Sequence, residues 1–594
     1  MKIAVIYREL FLLLLTIAHC RNAPTNNHND KFYWYDKNKS IVENRMRSLQ
    51  MENLPRVKNV IIFIGDGMGL STITASRTLK RQVTQNPNAQ MIFDEFPATA
   101  LMQTDIINSQ IPESAASSTA LFCGVKTNFE SLGVDSTSMG RDACKNINSH
   151  APSVIEWAQK KNLKTGFVTT SRITHATPAT LYAHSRRHIE DDSKVDSFGC
   201  KDIARQLIEN DTGKNINVIM GGGMRSFIPE NVEGGRRKDG KNLTAEWVTS
   251  HLNGEFITTR NELLNVSDYT EYLLGIFSKS HMQFNADRNR EIEPSLAEMT
   301  KAAIEILRRN NTRGFLLIVE AGKIDLAHHY NNAFRALDDT LQLDESINEA
   351  LKIIDLSNSL VIVTSDHASA MSYSGFATPK NLTVLGMDKY VSNVDGKPYQ
   401  LLTYSSGLGY QNYNETAAIH DYRNSYHKAT IASTWANHAA DDVPVYAIGQ
   451  MANFLFSGSF DQTYLAHAVA YAMCIFQYES RCHNSINMKR TKLVNEKGPR
   501  GIEALKQELG KFSKSKPFGA GNNLENIKEA LIYTTAATLV ENSNDVILLK
   551  NTTSEEDIYE SSDLISNSTS LINSSRNFRN NNCFVIVIVL FAFY

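Results

Sequence analysis

Acidic and histidine residues recur directly after short apolar runs of this chain. The residues in these positions are Asp66, Glu320, Asp366 and His367. Carboxylates that converge on one edge of a sheet repel one another strongly unless cations neutralise them. The pattern therefore predicts a metal centre, with His367 adding a nitrogen ligand to the carboxylate oxygens.

A second set of candidate ligands follows Glu320 in the segment AGKIDLAHH. Asp325 and His329 are four residues apart, which on a helix puts both side chains on one face, a common arrangement for zinc. His328 would point elsewhere and is interpreted as structural. His438, in the distant segment NHAADD, would complete a three-ligand site with an open position, as catalytic zinc requires.

An all-oxygen set, Asp66, Thr177 and Glu320, suits magnesium better than zinc. Metal ions placed side by side can clamp the attacking and leaving oxygens of a phosphoryl displacement. Ser114 would then be the attacking oxygen.

Ser114 begins the segment SAASSTALFCG, whose small residues allow a helix to pack closely against other backbone. A serine at such a helix start has its hydroxyl in the field of free N–H groups, which stabilises an anion such as phosphate. The alternative is an ordinary N-cap serine. The other motifs favour the nucleophile.

The elements that must position these residues are apolar runs alternating with helical stretches. Uninterrupted apolar runs are typical of strands buried on both faces of a parallel sheet. The predicted strands are 60–64, 165–169, 218–220, 315–319, 360–364 and 443–448, and the predicted helices are 154–161, 200–209, 296–309 and 333–354. The alternation predicts an α/β fold, a central mostly parallel β-sheet flanked by helices on both faces, with ligands at the carboxyl ends of the strands.

Composition divides the remaining chain into segments. The predicted domains are a signal peptide at 1–20, an N-terminal arm at 21–56 with a helical stretch at 41–51, a catalytic domain at 57–482, a polar stalk at 483–575 and a removed anchor signal at 576–594. Residues 375–436 lack a long apolar period and are interpreted as an inserted surface subdomain. Both terminal apolar stretches are too short to span a bilayer and fit processing signals.

The chain has 594 residues, a formal net charge of −2 and no basic tract, which argues against nucleic-acid binding. Removing Cys20 and Cys583 with the two signals leaves five cysteines. The predicted disulfides are Cys144–Cys200 and Cys474–Cys482, with Cys123 a buried thiol. Asn-x-Ser/Thr sites compatible with secretion include Asn38, Asn210, Asn242, Asn265, Asn310, Asn381, Asn414 and Asn551.

The ordered set of motifs over about 57–482 resembles the alkaline phosphatases of the animal, membrane-anchored (GPI-anchored) kind. It comprises FIGDGMG at 63–69, FCGVKTN at 122–128, TTSRITHATPATLYAH at 169–184, GGGM at 221–224, DGKNL at 239–243, RGFLLIVEAGKID at 313–325, TSDH at 364–367 and NHAADDV at 437–443. The resemblance implies hydrolysis of phosphate monoesters through a phosphoserine on Ser114, assisted by two zinc ions and one magnesium ion.

The resemblance also assigns the ligands and the setting. Those matched to one zinc are Asp325, His329 and His438; to the second zinc, Asp66, Asp366 and His367, with Ser114 beside it; and to magnesium, Asp66, Thr177 and Glu320, with His175 around them. It implies a homodimer embraced by the arm, held by a lipid anchor at the extracellular face of the cell membrane.

Two departures from the family pattern lie around the nucleophile. Glu113 precedes the serine where aspartate is usual, and the phosphate-clamping arginine is expected four residues after His184, where His188 stands. A local shift would bring Arg187, or alternatively Arg186, into that place. Imidazole cannot copy the two-pronged bond of a guanidinium to phosphate.

The metal surroundings depart as well. Phe277 and Glu293 match residues of the calcium site of animal members, but Ser278 stands where an acid is expected, which leaves calcium doubtful. Leu326 and Ser369 replace histidines common in animal members.

Two alternatives remain open from the sequence. If neither arginine reaches the site, the chain would be a catalytically weakened cell-surface binding protein of the same fold. A related metal-dependent diesterase or sulfatase is the other, although the small, serine-rich nucleophile segment matches it poorly.

Overall fold

A ten-stranded sheet forms the centre of the described chain, with strands in the order β19-β2-β18-β10-β1-β9-β4-β6-β8-β7. These strands are β1 (Asn59–Gly65), β2 (Ala98–Gln103), β4 (Lys164–Arg172), β6 (Val218–Gly222), β7 (Gly254–Ile257), β8 (Tyr272–Ile276), β9 (Phe315–Ala321), β10 (Ser359–Thr364), β18 (Val443–Gly449) and β19 (Gly458–Asp461). Strand β18 pairs antiparallel with both neighbours, β10 and β2, and the other pairings in this sheet are parallel. The predicted mostly parallel α/β sheet is confirmed.

The computed structural model describes residues 30–138, 143–187, 189, 199–376, 383–411 and 421–482. They lie in one compact unit, Met1–Lys497, and the second unit, Gly498–Tyr594, falls outside the described residues. The predicted signal peptide, stalk and anchor signal, His188 and the sites Asn381, Asn414 and Asn551 also lie outside them. No helix among the described residues is long and apolar enough to cross a membrane.

Helices cover both faces of the sheet. They are α1 (Lys31–Ser48), α2 (Leu70–Val83), α3 (Ser114–Cys123), α4 (Val154–Gln159), α5 (Ala176–Ala179), α6 (Ile203–Glu209), α7 (Asp211–Lys214), α8 (Leu243–Ser250), α9 (Arg260–Leu264), α10 (Leu296–Arg308), α11 (Lys323–His329), α12 (Ala333–Ile353), α13 (Ala452–Leu455) and α14 (Tyr464–Met473). Along β1, Val60, Ile62 and Ile64 join one hydrophobic core, whereas Ile61 and Phe63 join a second. Because alternate side chains of a strand point to opposite faces, β1 is buried on both.

Smaller sheets lie beside the main one. They contain β3 (Ser131–Leu132), β5 (Ser185–Arg186), β11 (Ala368–Ser369), β12 (Met371–Tyr373), β13 (Met387–Val391), β14 (Pro398–Gln400), β15 (Leu402–Gly407), β16 (Ala429–Ala432) and β17 (His438–Ala439). The segment interpreted as an inserted subdomain contributes the β13–β14 hairpin and two strands of the β12-β15-β16 sheet.

Both predicted disulfides, Cys144–Cys200 and Cys474–Cys482, are present. Cys123 is a free buried thiol in α3, and burial raises its pKa. A thiol held in its neutral form is a poor nucleophile, so Cys123 serves packing.

Helix α1 lies in the segment expected to embrace a partner, and it begins and ends earlier than the stretch predicted at 41–51. Its side chains Trp34, Tyr35 and Met46 belong to the main hydrophobic core of this chain. The Tyr35 ring meets the Trp157 ring edge-on, with 6.2 Å between centroids. One face of this helix is therefore committed to its own chain.

The glycosylation site predicted at Asn38 is wrong. Asn38 is fully buried on α1, and its Nδ2 donates to the Trp34 carbonyl at 2.9 Å and to Thr463 Oγ1 at 3.0 Å. A glycan cannot occupy this position in the folded chain. By contrast, Asn242, Asn265 and Asn310 are exposed.

We expect Asn38→Ala to destabilise the protein by about 1–3 kcal/mol, because it removes both hydrogen bonds that Asn38 Nδ2 donates in the buried interior. Thermal unfolding of the purified protein measures the effect. Asn44→Ala on the exposed face of the same helix is the matched control and should change stability by less than about 0.5 kcal/mol. Equal effects of the two substitutions would contradict this role of Asn38.

Candidate metal centre and nucleophile

The three central strands bring the predicted carboxylates to one edge of the sheet. β1 lies between β9 and β10, and Ile64 is in register with Glu320 on one side and Thr364 on the other. Asp66 and Asp366 follow the ends of their strands by one or two residues. Ligand atoms of Asp66, Asp366 and His367 consequently lie within 4.8 Å of one another.

Gly67 permits this turn after β1. Its φ is +68°, and a Cβ there would lie 2.8 Å from Asp325 Oδ1 and 2.5 Å from Ser369 Oγ. The glycine-rich segment thus lets the turn pack directly on α11. Ser369, which replaces a histidine expected from the resemblance, donates to Asp325 Oδ1 at 3.4 Å. Leu326 is half-buried on the same helix.

A second cluster joins α11 to β17, as the sequence predicted. His329 Nε2 lies 2.9 Å from Asp325 Oδ2, and His438 Nε2 lies 3.4 Å from His329 Nε2 and 3.6 Å from Asp325 Oδ1. His329 Nδ1 bonds to the Ala436 carbonyl at 2.7 Å, and His438 Nδ1 to the Pro112 carbonyl at 2.9 Å. Because each Nδ1 donates to a carbonyl, each Nε2 is an acceptor that faces the cluster.

His328 lies outside the cluster. Its ring contacts Thr72 Oγ1 at 3.0 Å and the Tyr404 hydroxyl at 2.8 Å in the core. Burial lowers its pKa to about 3. The sequence interpretation of this histidine as structural agrees with these contacts.

Ser114 is the first residue of α3 and is buried at the same sheet edge. Its Oγ lies 3.3 Å from His367 Nε2. Glu113 caps the helix, because its carboxylate accepts from the N–H groups of Ala115 and Ala116, both at 2.9 Å. Glu113 thus occupies two N–H groups of this first turn, and the positive end of the α3 dipole is the feature of the helix that favours an anion at Ser114.

The magnesium candidates form a third group around Glu320. Ligand atoms of Asp66, His175 and Glu320 lie within 4.8 Å of one another, so His175 is closer to this group than the sequence indicated. Thr177 lies one residue into α5. Burial raises the pKa of Glu320 to about 7, against the lowering effect of hydroxyls that include Thr169 and Thr177.

The buried carboxylates at this sheet edge are suited to binding cations. Among the described residues, neither carboxylate oxygen of Asp66 has a hydrogen-bond partner, although the side chain is fully buried. Burial and the charges of Asp366, Asp325 and Glu320 raise the pKa of Asp66. Burial and Asp325 raise the pKa of Asp366 to about 7. An orphaned buried carboxylate is costly in free energy, and metal ions would satisfy these oxygens.

Arg187 lies beside the nucleophile helix. Its Nη1 donates to Glu113 Oε2 at 3.2 Å and its Nε to Glu130 Oε1 at 3.3 Å. Burial lowers the pKa of His367 to about 4, and the charge of Arg187 contributes to that lowering. Of the carboxylates Glu113 and Glu130, Arg186 pairs with Glu130 only, and its side chain is more exposed than that of Arg187. Of the two arginines that the sequence left open, Arg187 is the one that contacts Glu113 beside Ser114.

Glu130 is the residue that sequence reasoning missed. It holds both arginines and donates its own N–H to Glu113 Oε1 at 2.9 Å. Its φ of +63° is unusual for a residue with a side chain. The sequence offered no signal stronger than its position shortly after the FCGVKTN segment.

The calcium candidates do not form a comparable set. Ser278 Oγ donates to the His281 carbonyl, and Glu293 Oε2 accepts from the Gln283 N–H at 3.0 Å. Arg288 donates to the Glu293 carbonyl at 2.9 Å. A single carboxylate beside a guanidinium disfavours a divalent cation, which binds to several oxygen ligands.

The chain is similar to known proteins over most of its length. A family model described as alkaline phosphatase matches residues 57–475. The tissue-nonspecific alkaline phosphatase of Felis catus is 37% identical over 491 residues, or 78% of this chain and 93% of that protein. A membrane-bound alkaline phosphatase of Bombyx mori is 36% identical over 473 residues, or 75% and 85%.

Solved structures show the same fold. The alkaline phosphatase of Thermus thermophilus matches with a TM-score of 0.53 and 23% identity, over 73% of this chain and 96% of that chain. A mutant TAB5 alkaline phosphatase with Mg bound matches with a TM-score of 0.52 and 24% identity, over 71% of this chain and 100% of that chain.

We expect the metal-free protein to lose stability as pH rises from about 4, where carboxyl groups of the unfolded chain ionise, to about 7. In that window folded Glu320 and Asp366 retain protons that the unfolded chain has released, so raising the pH favours unfolding. Thermal midpoints measured with a chelator should fall across this range, and added zinc and magnesium should remove the fall.

Asp66→Asn provides the matched test of this effect. Without metals, the variant should be more stable than the wild type at pH 8, because an orphaned buried charge is gone. With metals, it should be less stable, because a ligand is lost. A flat or rising stability of the metal-free wild type between these pH values would refute the assignment of repulsion to this edge.

Proposed function

The chain belongs to the alkaline phosphatase family, and on that premise we propose how its own residues hydrolyse phosphate monoesters. The observation that carries the proposal is the Ser114 hydroxyl at the start of a buried helix, 3.3 Å from His367 Nε2 and beside clustered carboxylates and histidines. Metal cofactors follow from the family. Their number and identity, and the residues in each role, are part of the proposal.

We propose two zinc ions and one magnesium ion. The first zinc would be held by Asp325, His329 and His438; the second by Asp66, Asp366 and His367; and magnesium by Asp66, Thr177 and Glu320. The short distances within the two zinc sets, the closeness of Asp66 to Glu320 and the orphaned oxygens of Asp66 support this assignment. When bound, such ions polarise the phosphoryl group and stabilise negative charge on the attacking and leaving oxygens.

The reaction takes place in two displacements at phosphorus. Ser114 loses its proton to solvent water, its Oγ forms a bond to phosphorus, and the bond from phosphorus to the leaving oxygen breaks, so that this oxygen takes a proton from water and departs as an alcohol. Water then attacks the phosphoserine, restores the Ser114 hydroxyl and releases inorganic phosphate. The positive end of the α3 dipole would stabilise the negative charge that develops on the phosphoryl oxygens beside Ser114.

Arg187 would bind the phosphoryl oxygens in place of the arginine that the family pattern puts where His188 stands. Its Nε and Nη1 donate to Glu130 and Glu113, and no bond of its Nη2 is found within the described part of the chain. The two carboxylates therefore hold the guanidinium plane while leaving donors for phosphate. Glu113 links this clamp to the nucleophile because it also caps α3.

A location at the outer surface of the cell membrane is part of the proposal. Two disulfides are typical of proteins in oxidising compartments, and one relative carries the description membrane-bound. The lipid anchor, the glycans and the homodimer remain predictions from the sequence.

We expect Ser114→Ala to lower p-nitrophenyl phosphate hydrolysis more than about a thousandfold, because no other oxygen replaces the nucleophile. Arg187→Ala should lower kcat/KM roughly 10- to 100-fold through lost charge-assisted hydrogen bonds, and Arg187→Lys should lie between. Assays at alkaline pH with zinc and magnesium test both. Acid quenching should trap phosphate covalently on the wild type and not on Ser114→Ala. Wild-type turnover without any trapped phosphoserine under several quench conditions would contradict the two-step reaction.

Glu130 should act on phosphate through Arg187. Glu130→Gln keeps an oxygen acceptor for Arg187 but removes a negative charge, so competitive inhibition by inorganic phosphate should become roughly two- to fivefold tighter. Glu130→Ala also removes the oxygen acceptor that positions Arg187, so inhibition by inorganic phosphate should become weaker. Arg186→Ala is the control, because Arg186 shares Glu130 without contacting Glu113. If both Glu130 substitutions shift inhibition in the same direction, Glu130 does not position Arg187.

A further inference from the structure

A row of aromatic rings leads from the nucleophile to the protein surface. Ser114 Oγ lies next to His367, whose ring stacks on His438 with 3.7 Å between centroids. His438 lies 5.0 Å from His329, and the His329 ring meets Trp435 at 5.4 Å and an angle of 89°. Ser114 thus stands at one end of the row and an indole at the other.

Trp435 is fixed to the cluster by its neighbour in the chain. The Ala436 N–H donates to the His329 carbonyl at 3.0 Å, and His329 Nδ1 donates to the Ala436 carbonyl at 2.7 Å. These reciprocal bonds tie the backbone beside Trp435 to a candidate zinc ligand. The indole therefore has a defined position relative to the reacting atoms.

Solvent reaches this end of the row. Trp435 is 45% exposed and Tyr330, which follows α11, is 40% exposed, with their ring centroids 5.2 Å apart. A single exposed aromatic residue needs no functional explanation. Here two adjacent rings are exposed, and one of them contacts a histidine of the metal cluster.

The in-line geometry of the displacement at phosphorus determines which part of the substrate contacts these rings. In an in-line displacement the leaving oxygen departs on the side of phosphorus opposite the nucleophile. Ser114 lies at the His367 end of the row, so a leaving group that departs along the row would pass His438 and His329 and reach Trp435. This step rests on the proposed function, because it takes Ser114 as the nucleophile.

We infer that Trp435, with Tyr330 beside it, forms a binding surface for the leaving group and favours phosphomonoesters of planar aromatic alcohols. An aromatic leaving group can stack on a rigid indole at little entropic cost, whereas a small polyol offers no face to stack. Such contacts are worth about two- to tenfold in affinity. Trp435 acts on specificity and takes no part in the bond-making steps.

Kinetics of matched substrates test the inference. We expect Trp435→Ala to lower kcat/KM for 1-naphthyl phosphate two- to tenfold more than for glycerol 2-phosphate, mainly through KM. Each substrate is compared between two enzymes, so the intrinsic reactivity of its leaving group cancels. Trp435→Phe should restore most of the preference. Tyr269→Ala is the control, because Tyr269 is 88% exposed and precedes β8 at the opposite sheet edge.

Tryptophan fluorescence gives a readout independent of turnover. Of the four tryptophans, Trp34, Trp157 and Trp247 are buried, so acrylamide quenching reports chiefly on Trp435. A non-hydrolysable aryl phosphonate should protect the indole from quenching, and methylphosphonate should not. Equal losses on both substrates, or no protection by the aryl ligand, would overturn the inference while leaving phosphatase activity intact. Absence of any wild-type hydrolysis would instead refute the proposed function.

Discussion

Repulsion among carboxylates is the constraint on which the rest of this structure depends. Asp66, Glu320 and Asp366 are buried together because three neighbouring parallel strands end at one sheet edge. Hydrogen bonds alone do not satisfy them, and burial holds their pKa values above the usual range. The fold therefore holds a charge distribution that is unfavourable alone and becomes favourable when cations bind, which couples the stability of the sheet edge to its chemistry.

Several contacts around α3 accommodate Glu113, the glutamate that stands where the family pattern has aspartate. The longer side chain of Glu113 accepts two N–H groups of α3, the N–H of Glu130 and a guanidinium N–H of Arg187. One carboxylate thus fixes the start of the helix, the loop before β3 and the arginine together. The arginine shifted by one position after His184 and the longer acid before Ser114 meet in one contact, between Arg187 and Glu113.

Local sequence patterns predicted the elements that are buried on both faces and the acidic residues that gather at their ends. β1, β9 and β10 are uninterrupted apolar runs, and such runs have few other stable environments. β2 alternates buried and exposed residues and was not predicted, nor was the antiparallel direction of β18. Glu130 was missed, and Asn38 was misread as a glycan site, because their partners Arg187 and Thr463 are distant in the sequence. Contacts of this kind depend on tertiary packing, which a local pattern does not encode.

The reversed direction of β18 also determines when the site becomes complete. Because β18 runs antiparallel to β10, the first residues of β18 lie at the sheet edge where the parallel strands end. His438 precedes β18 by a few residues and therefore lies at the same edge. His438 and its neighbour His329 are 109 residues apart in the chain. A chain emerging from the ribosome can pair β1, β9 and β10 long before His438 is synthesised, and contacts of such separation form slowly. The cluster can therefore close only after most of the described chain has been synthesised, which makes it a late contact in the folding of a nascent chain.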